Sequence, residues 1–359
     1  MKRALENYLT FVKCVIPKEE LSTAVGLDIG VSSCKLVEIV KKGNSFELVN
    51  WVIEPIKEND VVTSVKSILT KVSQPTKSPI TAVFGKGTLI RCVTVPRMPL
   101  EEVKKSLNIE ADKYFPFAKD QIYTDSYILD QESQDKKMSV LIAAAKREII
   151  EGRIKLLNDL GLHADFISLN PIAIGNVFYV FNEPTADKKK NIPKEEGSTA
   201  IAVLDIGETV SSLTVILGRL PRFARDIFMG GQDLTKRIMH AFGINPQEAE
   251  QIKTHPQEKL NEVINASDAS LMNLITEMRL SFDYFTTEYN FHISKLYLSG
   301  GTSLLEGVTD YFSKNIDIPV EQWNPLAYVN IPSPLVGHEL TKNASRLGVA
   351  LGLALNHYD

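Results

Sequence analysis

Cysteine is scarce in this chain. Cys14, Cys34 and Cys92 are three in 359 residues, and an odd, sparse set is no disulfide framework and fits a reducing compartment. Long apolar runs are missing too: none approaches the ~18–20 residues that span a bilayer. The opening segment, Met1 to Pro17, carries Lys2 and Arg3 and then Leu5, Tyr8, Leu9, Phe11, Val12, Val15 and Ile16, but Glu6 and Lys13 interrupt it. It lacks the uninterrupted apolar stretch and cleavage site of a signal peptide. It reads instead as a short amphipathic helix, packed on the first domain or touching a membrane or partner. Basic excess is absent, since the net charge is −4, and no global field draws nucleic acid or an anionic membrane. The run Lys188-Lys189-Lys190 sits in a polar stretch, Asn182 to Gly197, and makes no extended footprint. The six histidines show no metal-ligand spacing, and no Walker P-loop occurs.

What is present is an ordinary globular composition, 44% hydrophobic and 23% charged, with length for two or three domains. Ala24 to Ile29 reads as a buried strand ending in Asp-Ile-Gly, followed by strands at Lys35 to Lys41 and Phe46 to Val52 around a Lys42-Gly43-Asn44 turn. Asp60 to Val72 has helical spacing, and Thr81 to Phe84 is a short strand. A compact β-α-β-β-α unit then spans roughly residues 86–165. In it, Leu100 to Tyr114 is a helix stopped by Phe115-Pro116-Phe117, and Lys146 to Leu160 one stopped by Gly161. From Thr199 the opening pattern repeats: Ala200 to Ile206 ends in Asp-Ile-Gly, and strands follow at Ser211 to Leu217 and Arg222 to Ile227. Helices are expected over Gln232 to Phe242, Pro246 to Thr254, Ala266 to Tyr289, from the Gly300-Gly301 pair to about Asn315, and over Ala344 to Leu355.

The repeat carries the chemistry. In Asp28-Ile29-Gly30-Val31-Ser32-Ser33-Cys34-Lys35 a strand delivers a carboxylate to a tight hairpin. Gly30 lets the backbone come close to a ligand. The amides and the Ser32 and Ser33 hydroxyls are donors for phosphate oxygens, and Lys35 adds positive charge. Asp28 suits a hydrated Mg²⁺ rather than phosphate itself. Asp205-Ile206-Gly207-Glu208-Thr209-Val210-Ser211 repeats the geometry, so two hairpins can clamp a phosphate chain while Asp28 and Asp205 share one metal through water. Ser299-Gly300-Gly301-Thr302-Ser303 places glycines before an expected helix, where a flat ligand fits and helix-start amides are exposed. Gly230 and Gly231 also precede a helix, with Lys236 one turn in. Glu208 is a weak candidate base, its alternative being an exposed turn carboxylate. Cys34 reads as a small buried residue.

This order of motifs resembles the actin/Hsp70/sugar-kinase superfamily over nearly the whole chain. The resemblance implies an α/β, actin-like (ribonuclease H-like) two-domain fold with mixed five-stranded sheets, binding ATP and Mg²⁺ between the domains. It implies a first domain, 1A, over 20–85 and 166–197, the latter including a linker, interrupted by a 1C-like insert of the FtsA type at 86–165. A second domain follows at 198–340, its 2B-like part at about 235–292, and a helix at 341–359 returns to 1A. Gly300, Gly301 and Ser303 would lie at the adenosine, and Glu277 and Arg279 on the helix flanking the base. Within the insert, Val95-Pro96-Arg97-Met98-Pro99 and Glu110-Ala111-Asp112-Lys113-Tyr114-Phe115-Pro116-Phe117 are similar to motifs of the PilM family of type IV pilus assembly proteins. The chain stops at Asn356-His357-Tyr358-Asp359, straight after a packing helix, whereas FtsA ends in a linker and a membrane helix. The PilM resemblance implies a cytoplasmic scaffold at the inner membrane that docks the N-terminal peptide of a PilN-like partner. Leu89, Val93, Val95, Met98 and Tyr114 are candidates to line that groove, core packing being their alternative. The rival readings are an FtsA-like division filament and a sugar or small-molecule kinase. Val31 stands where relatives often carry a hydroxyl, and Thr209 where actin has a second glycine. With no clearly placed base, hydrolysis is expected to be slow or absent.

Overall fold

The structure, a computed structural model, describes residues 23–356 apart from 59, 74, 75, 77, 131–135 and 182–199. The expected amphipathic segment Met1 to Pro17, Cys14, and the Lys188-Lys189-Lys190 loop lie outside the described residues.

Apolar alternation and tight turns build the opening meander. β1 (Thr23–Ile29), β2 (Ser33–Lys42) and β3 (Ser45–Pro55) pair antiparallel, with Asp28 opposite Lys35. α1 (Val61–Leu69) starts where the Asp60 carboxylate accepts from the Thr63 N–H at 3.0 Å. It carries the chain over to β4 (Ile80–Val83), parallel to β1, as a parallel pair requires.

The chain then leaves this sheet. β5 (Thr88–Pro96), α2 (Leu100–Tyr114), β6 (Ile122–Asp130), β7 (Lys137–Lys146) and α3 (Arg147–Asp159) form an insert around an antiparallel sheet of order β5-β7-β6. On α2, Val103, Leu107 and Ala111 recur every four residues; with Phe115 just beyond they bury against Met138, Val140, Ile142 and Ala144 of β7. The helix ends at Tyr114, before Pro116, as the sequence predicts. The chain rejoins the first sheet as β8 (Ile167–Leu169), completing the order β3-β2-β1-β4-β8.

After α4 (Asn170–Phe181) the pattern repeats in β9 (Ala200–Ile206), β10 (Ser211–Leu217) and β11 (Leu220–Ile227). Three helices follow, α5 (Gly231–Phe242), α6 (Pro246–Thr254) and α7 (Leu260–Tyr289), then β12 (Ile293–Ser299), α8 (Val308–Asn315) and β13 (Val320–Gln322). The second sheet, β11-β10-β9-β12-β13, has the same order as the first. Two mixed five-stranded sheets of one topology in one chain make this an α/β actin-like fold.

α9 (His338–Asn343) and a 3₁₀ turn, Ala344–Leu347, lead to α10 (Gly348–Leu355). α10 is buried at all eight positions, as a helix apolar on every side must be. It packs between the first sheet and α4 so closely that a Cβ on Gly352 would lie 1.7 Å from the Ala173 carbonyl oxygen. Three expectations need correction. α7 begins at Leu260 rather than Ala266. The closing helix starts at Gly348, because Ala344–Leu347 forms the tighter turn. Gly300-Gly301 leads into a single 3₁₀ turn, Thr302–Leu304, and the α-helix waits until Val308.

Candidate functional site

Both Asp-Ile-Gly hairpins open into one cavity of about 910 Å³. Asp28, Gly30, Val31, Ser32, Ser33 and Lys35 line it from the first; Asp205, Gly207, Glu208, Thr209 and Ser212 from the second hairpin and β10. The strand register explains why. Asp28 faces Lys35 across β1 and β2, and Asp205 faces Ser212 across β9 and β10. Each sheet therefore delivers its carboxylate from the same corner.

The two carboxylates differ in their partners. Asp28 pairs with the Lys35 ammonium at 3.0 Å. For Asp205 no donor reaches the carboxylate among the described residues, and burial pushes its pKa up to about 6. Lys35 opposes that rise, while Asp28 and Asp226 add to it. An enclosed carboxylate short of donors, next to a second carboxylate, suits a hydrated divalent cation. Gly300 is needed here: at φ +84° it takes a left-handed conformation, and a Cβ there would stand 2.4 Å from Asp205 Oδ1. This close approach to Asp205, rather than room for a flat ligand, accounts for the glycine.

The Ser299-Gly300-Gly301 loop is fastened to the C-terminal turn. Ser299 Oγ and the Gly300 N–H both donate to the Ser345 carbonyl, at 2.7 and 3.2 Å. Thr302 Oγ1 donates to the Gly207 carbonyl at 3.2 Å, tying the loop to the second hairpin. Gly301 lines the cavity, whereas Gly300 and Ser303 lie behind its wall, with Ser303 Oγ donating to the Gly300 carbonyl at 2.8 Å.

Other expected residues lie elsewhere. Gly230 and Gly231 support the second hairpin from behind; the Gly231 N–H donates to the Gly207 carbonyl at 2.9 Å. Lys236 is exposed and 3.8 Å from Asp233. Glu277 pairs with Arg225 at 2.6 Å, and Arg279 donates to the Asn315 carbonyl. None of the three lines the cavity, because a lysine one turn into α5 and the middle of α7 both point to outer surfaces.

Sequence reasoning missed three cationic side chains. Lys253 of α6 is buried, pairs with Glu250 at 2.6 Å, and donates to Thr235 Oγ1 at 2.8 Å and the Gly231 carbonyl at 3.2 Å. Burial raises the pKa of nearby Glu208 while Lys253 opposes the rise; Glu208 is half-buried, not a freely solvated turn residue. Arg346 reaches the first hairpin and donates to Ser33 Oγ at 3.3 Å. Arg153 of α3 holds that hairpin from the insert side, donating to Thr81 Oγ1 at 2.9 Å and the Ile29 carbonyl at 3.4 Å. Burial lowers the pKa of both arginines. Their only sequence signals were a charge one helical turn after a glutamate, a charge before an apolar run, and a charge inside an amphipathic helix.

The groove candidates are partly buried. Leu89, Val93, Val95, Met98 and Tyr114 pack against the insert's own core under α2. The opposite face of that sheet meets the first sheet: Leu129 and Ala143 share an apolar cluster with Ile150 of α3 and Ile167 of β8. Beside that cluster in sequence, Tyr127, Ile154 and Phe166 are 53%, 36% and 42% exposed.

A family described as type IV pilus assembly protein PilM matches residues 26–358. A solved PilM–PilN type IV pilus biogenesis complex is similar at 25% identity, covering 94% of this chain and 98% of that one, with a TM-score of 0.80. The ethanolamine utilization protein EutJ of Carboxydothermus hydrogenoformans is similar at 16% identity, covering 98% of each chain, with a TM-score of 0.48. MreB5 of Spiroplasma citri, solved bound to AMPPNP, is similar at 12% identity, covering 93% and 95%, with a TM-score of 0.42.

Proposed function

We propose that this chain, which belongs to the PilM family of type IV pilus assembly proteins, is an ATP-binding platform that docks a PilN-like partner. The nucleotide reading is carried by one observation: two hairpins in the same register, each bearing a carboxylate, face a single cavity. The Gly30 to Ser33 and Gly207 to Thr209 backbones would cradle the phosphates, and Lys35 would offset their charge. Asp28 and Asp205 would hold Mg²⁺ through water, which would neutralise the phosphates when bound. Val31, 46% exposed, offers no hydroxyl from the first hairpin. Glu208 is the one carboxylate in that hairpin turn besides Asp205; burial raises its pKa, and Lys253 opposes that rise without cancelling it. With no hydroxyl from Val31, slow or absent hydrolysis is the expected behaviour.

The partner reading comes from the PilM–PilN complex to which the chain is similar. We place the groove where the insert sheet meets β8 and α3, with Tyr127, Ile154 and Phe166 as its apolar rim. Among the described residues no helix is long and apolar enough to cross a membrane. On the likeness to the PilM–PilN complex, the chain would sit at the cytoplasmic face of the inner membrane through the partner. Anisotropy titration with the partner's synthetic N-terminal peptide tests this. Covering one large apolar side chain is worth about 1.5–3 kcal/mol, so Ile154→Asp or Phe166→Asp should weaken binding at least ~10-fold. Undiminished binding by both would move the groove; no binding by the wild type would end the docking reading.

A further inference from the structure

Four cationic side chains line the nucleotide cavity: Lys35, Lys253, Lys342 and Arg346. Lys35 is paired with Asp28 at 3.0 Å and Lys253 with Glu250 at 2.6 Å. Lys342 is exposed to solvent. Arg346 is half-buried and makes no ion pair among the described residues, although the Asp28 charge acts on it from a distance. Its Nη1 donates to Asn343 Oδ1 at 3.0 Å and its Nη2 to Ser33 Oγ at 3.3 Å, both neutral acceptors, and its Nε is buried without a partner. A guanidinium that is enclosed and satisfied only in part is a site for an anion.

Its placement is specific. Arg346 belongs to the turn whose Ser345 carbonyl anchors Ser299 and Gly300 of the second sheet's loop. Its tip reaches Ser33 of the first hairpin. It thus crosses the cavity to the hairpin in which Val31 supplies no hydroxyl.

We infer that Arg346 is a phosphate-binding residue of this cleft, leaving Ser33 and Asn343 to take oxygens of the nucleotide's phosphate chain in a forked, charge-assisted hydrogen bond. The inference rests on the nucleotide reading above and adds the residue that reads the anion. Accepting from Arg346 leaves the Ser33 O–H proton uncommitted, so Ser33 can donate to the same phosphate chain beside the guanidinium.

Calorimetric titration of ATP·Mg²⁺ and of adenosine into the wild type, Arg346→Gln and Arg346→Lys tests it, with unliganded thermal melts to show that each variant folds. Arg346→Gln should weaken ATP roughly 10- to 100-fold and leave adenosine within about twofold. Arg346→Lys keeps the charge, loses the fork and should fall between; it decides the matter if the glutamine variant does not fold. Equal weakening of ATP and adenosine would show a purely structural role, and unchanged ATP affinity would show none; either overturns the inference and leaves the nucleotide reading standing. A wild type that binds neither ligand overturns both.

Discussion

Replacing Asp205 by asparagine should make the unliganded protein more stable, by a margin that opens above about pH 4 and is complete above about pH 6, the value to which burial raises its carboxyl. Holding that carboxyl at about 6 against an ordinary 3.8 amounts to up to about 3 kcal/mol of destabilisation once it is ionised. The sign follows from proton binding. The folded chain holds this proton more tightly than the unfolded one, so its stability falls as pH rises from about 4 to about 6 and is level above that. Asparagine keeps the shape and removes the charge. Urea unfolding at several pH values should therefore show wild type and Asp205→Asn alike near pH 4, with the variant ahead by up to about 3 kcal/mol at pH 8. Saturating ATP·Mg²⁺ should narrow the gap, because ligand stabilises only the form that binds it. A variant no more stable than wild type at pH 8 would refute the claim that Asp205 is an uncompensated carboxylate waiting for a cation.

Gly300→Ala should destabilise by at least about 1–2 kcal/mol, since the residue sits at φ +84° and the new methyl would meet Asp205 Oδ1; chemical denaturation reads this. Lys253→Met should cost about 1–2 kcal/mol in the same assay, discounted because the side chain of its partner Glu250 is 44% exposed. Asp226 accepts from Ser212 Oγ at 2.6 Å and from the Gly85 N–H at 2.9 Å, linking β10 to the root of the insert. Asp226→Ala should therefore speed amide exchange at Gly85 about 10-fold or more, with little change in the cores of the two five-stranded sheets.

The internal repeat made most of the architecture legible. An apolar strand ending in Asp-Ile-Gly, twice, fixed which strand tips must converge, and Asp28 and Asp205 do line one cavity. The insert's β-α-β-β-α order was legible for the same reason: period-two and four-residue spacings change at Pro96 to Pro99 and at Pro116. Sequence was silent where a side chain's direction depends on tertiary packing. Val93 and Val95 alternate as strand residues do, but alternation leaves undecided which face meets α2 and which meets the first sheet. Lys236 looked as close to the glycines as Lys253 is in space, yet α6 folds back over α5 and delivers the later lysine. Arg346 lies more than 300 residues from Ser33, a contact set by the chain's return to the first sheet. In sequence, Gly300-Gly301 reads as a helix start; the chain makes one 3₁₀ turn there, with Thr302 bonded back to the Gly207 carbonyl.

The central claim is that the paired hairpins form a nucleotide clasp. Calorimetry with ATP·Mg²⁺ on the wild type, Asp28→Ala, Lys35→Ala and Asp205→Ala tests it most directly. Binding by the wild type, weakened about 10-fold or more in each variant, is the predicted result. Equal affinity in all four proteins, or no binding in any, would contradict it.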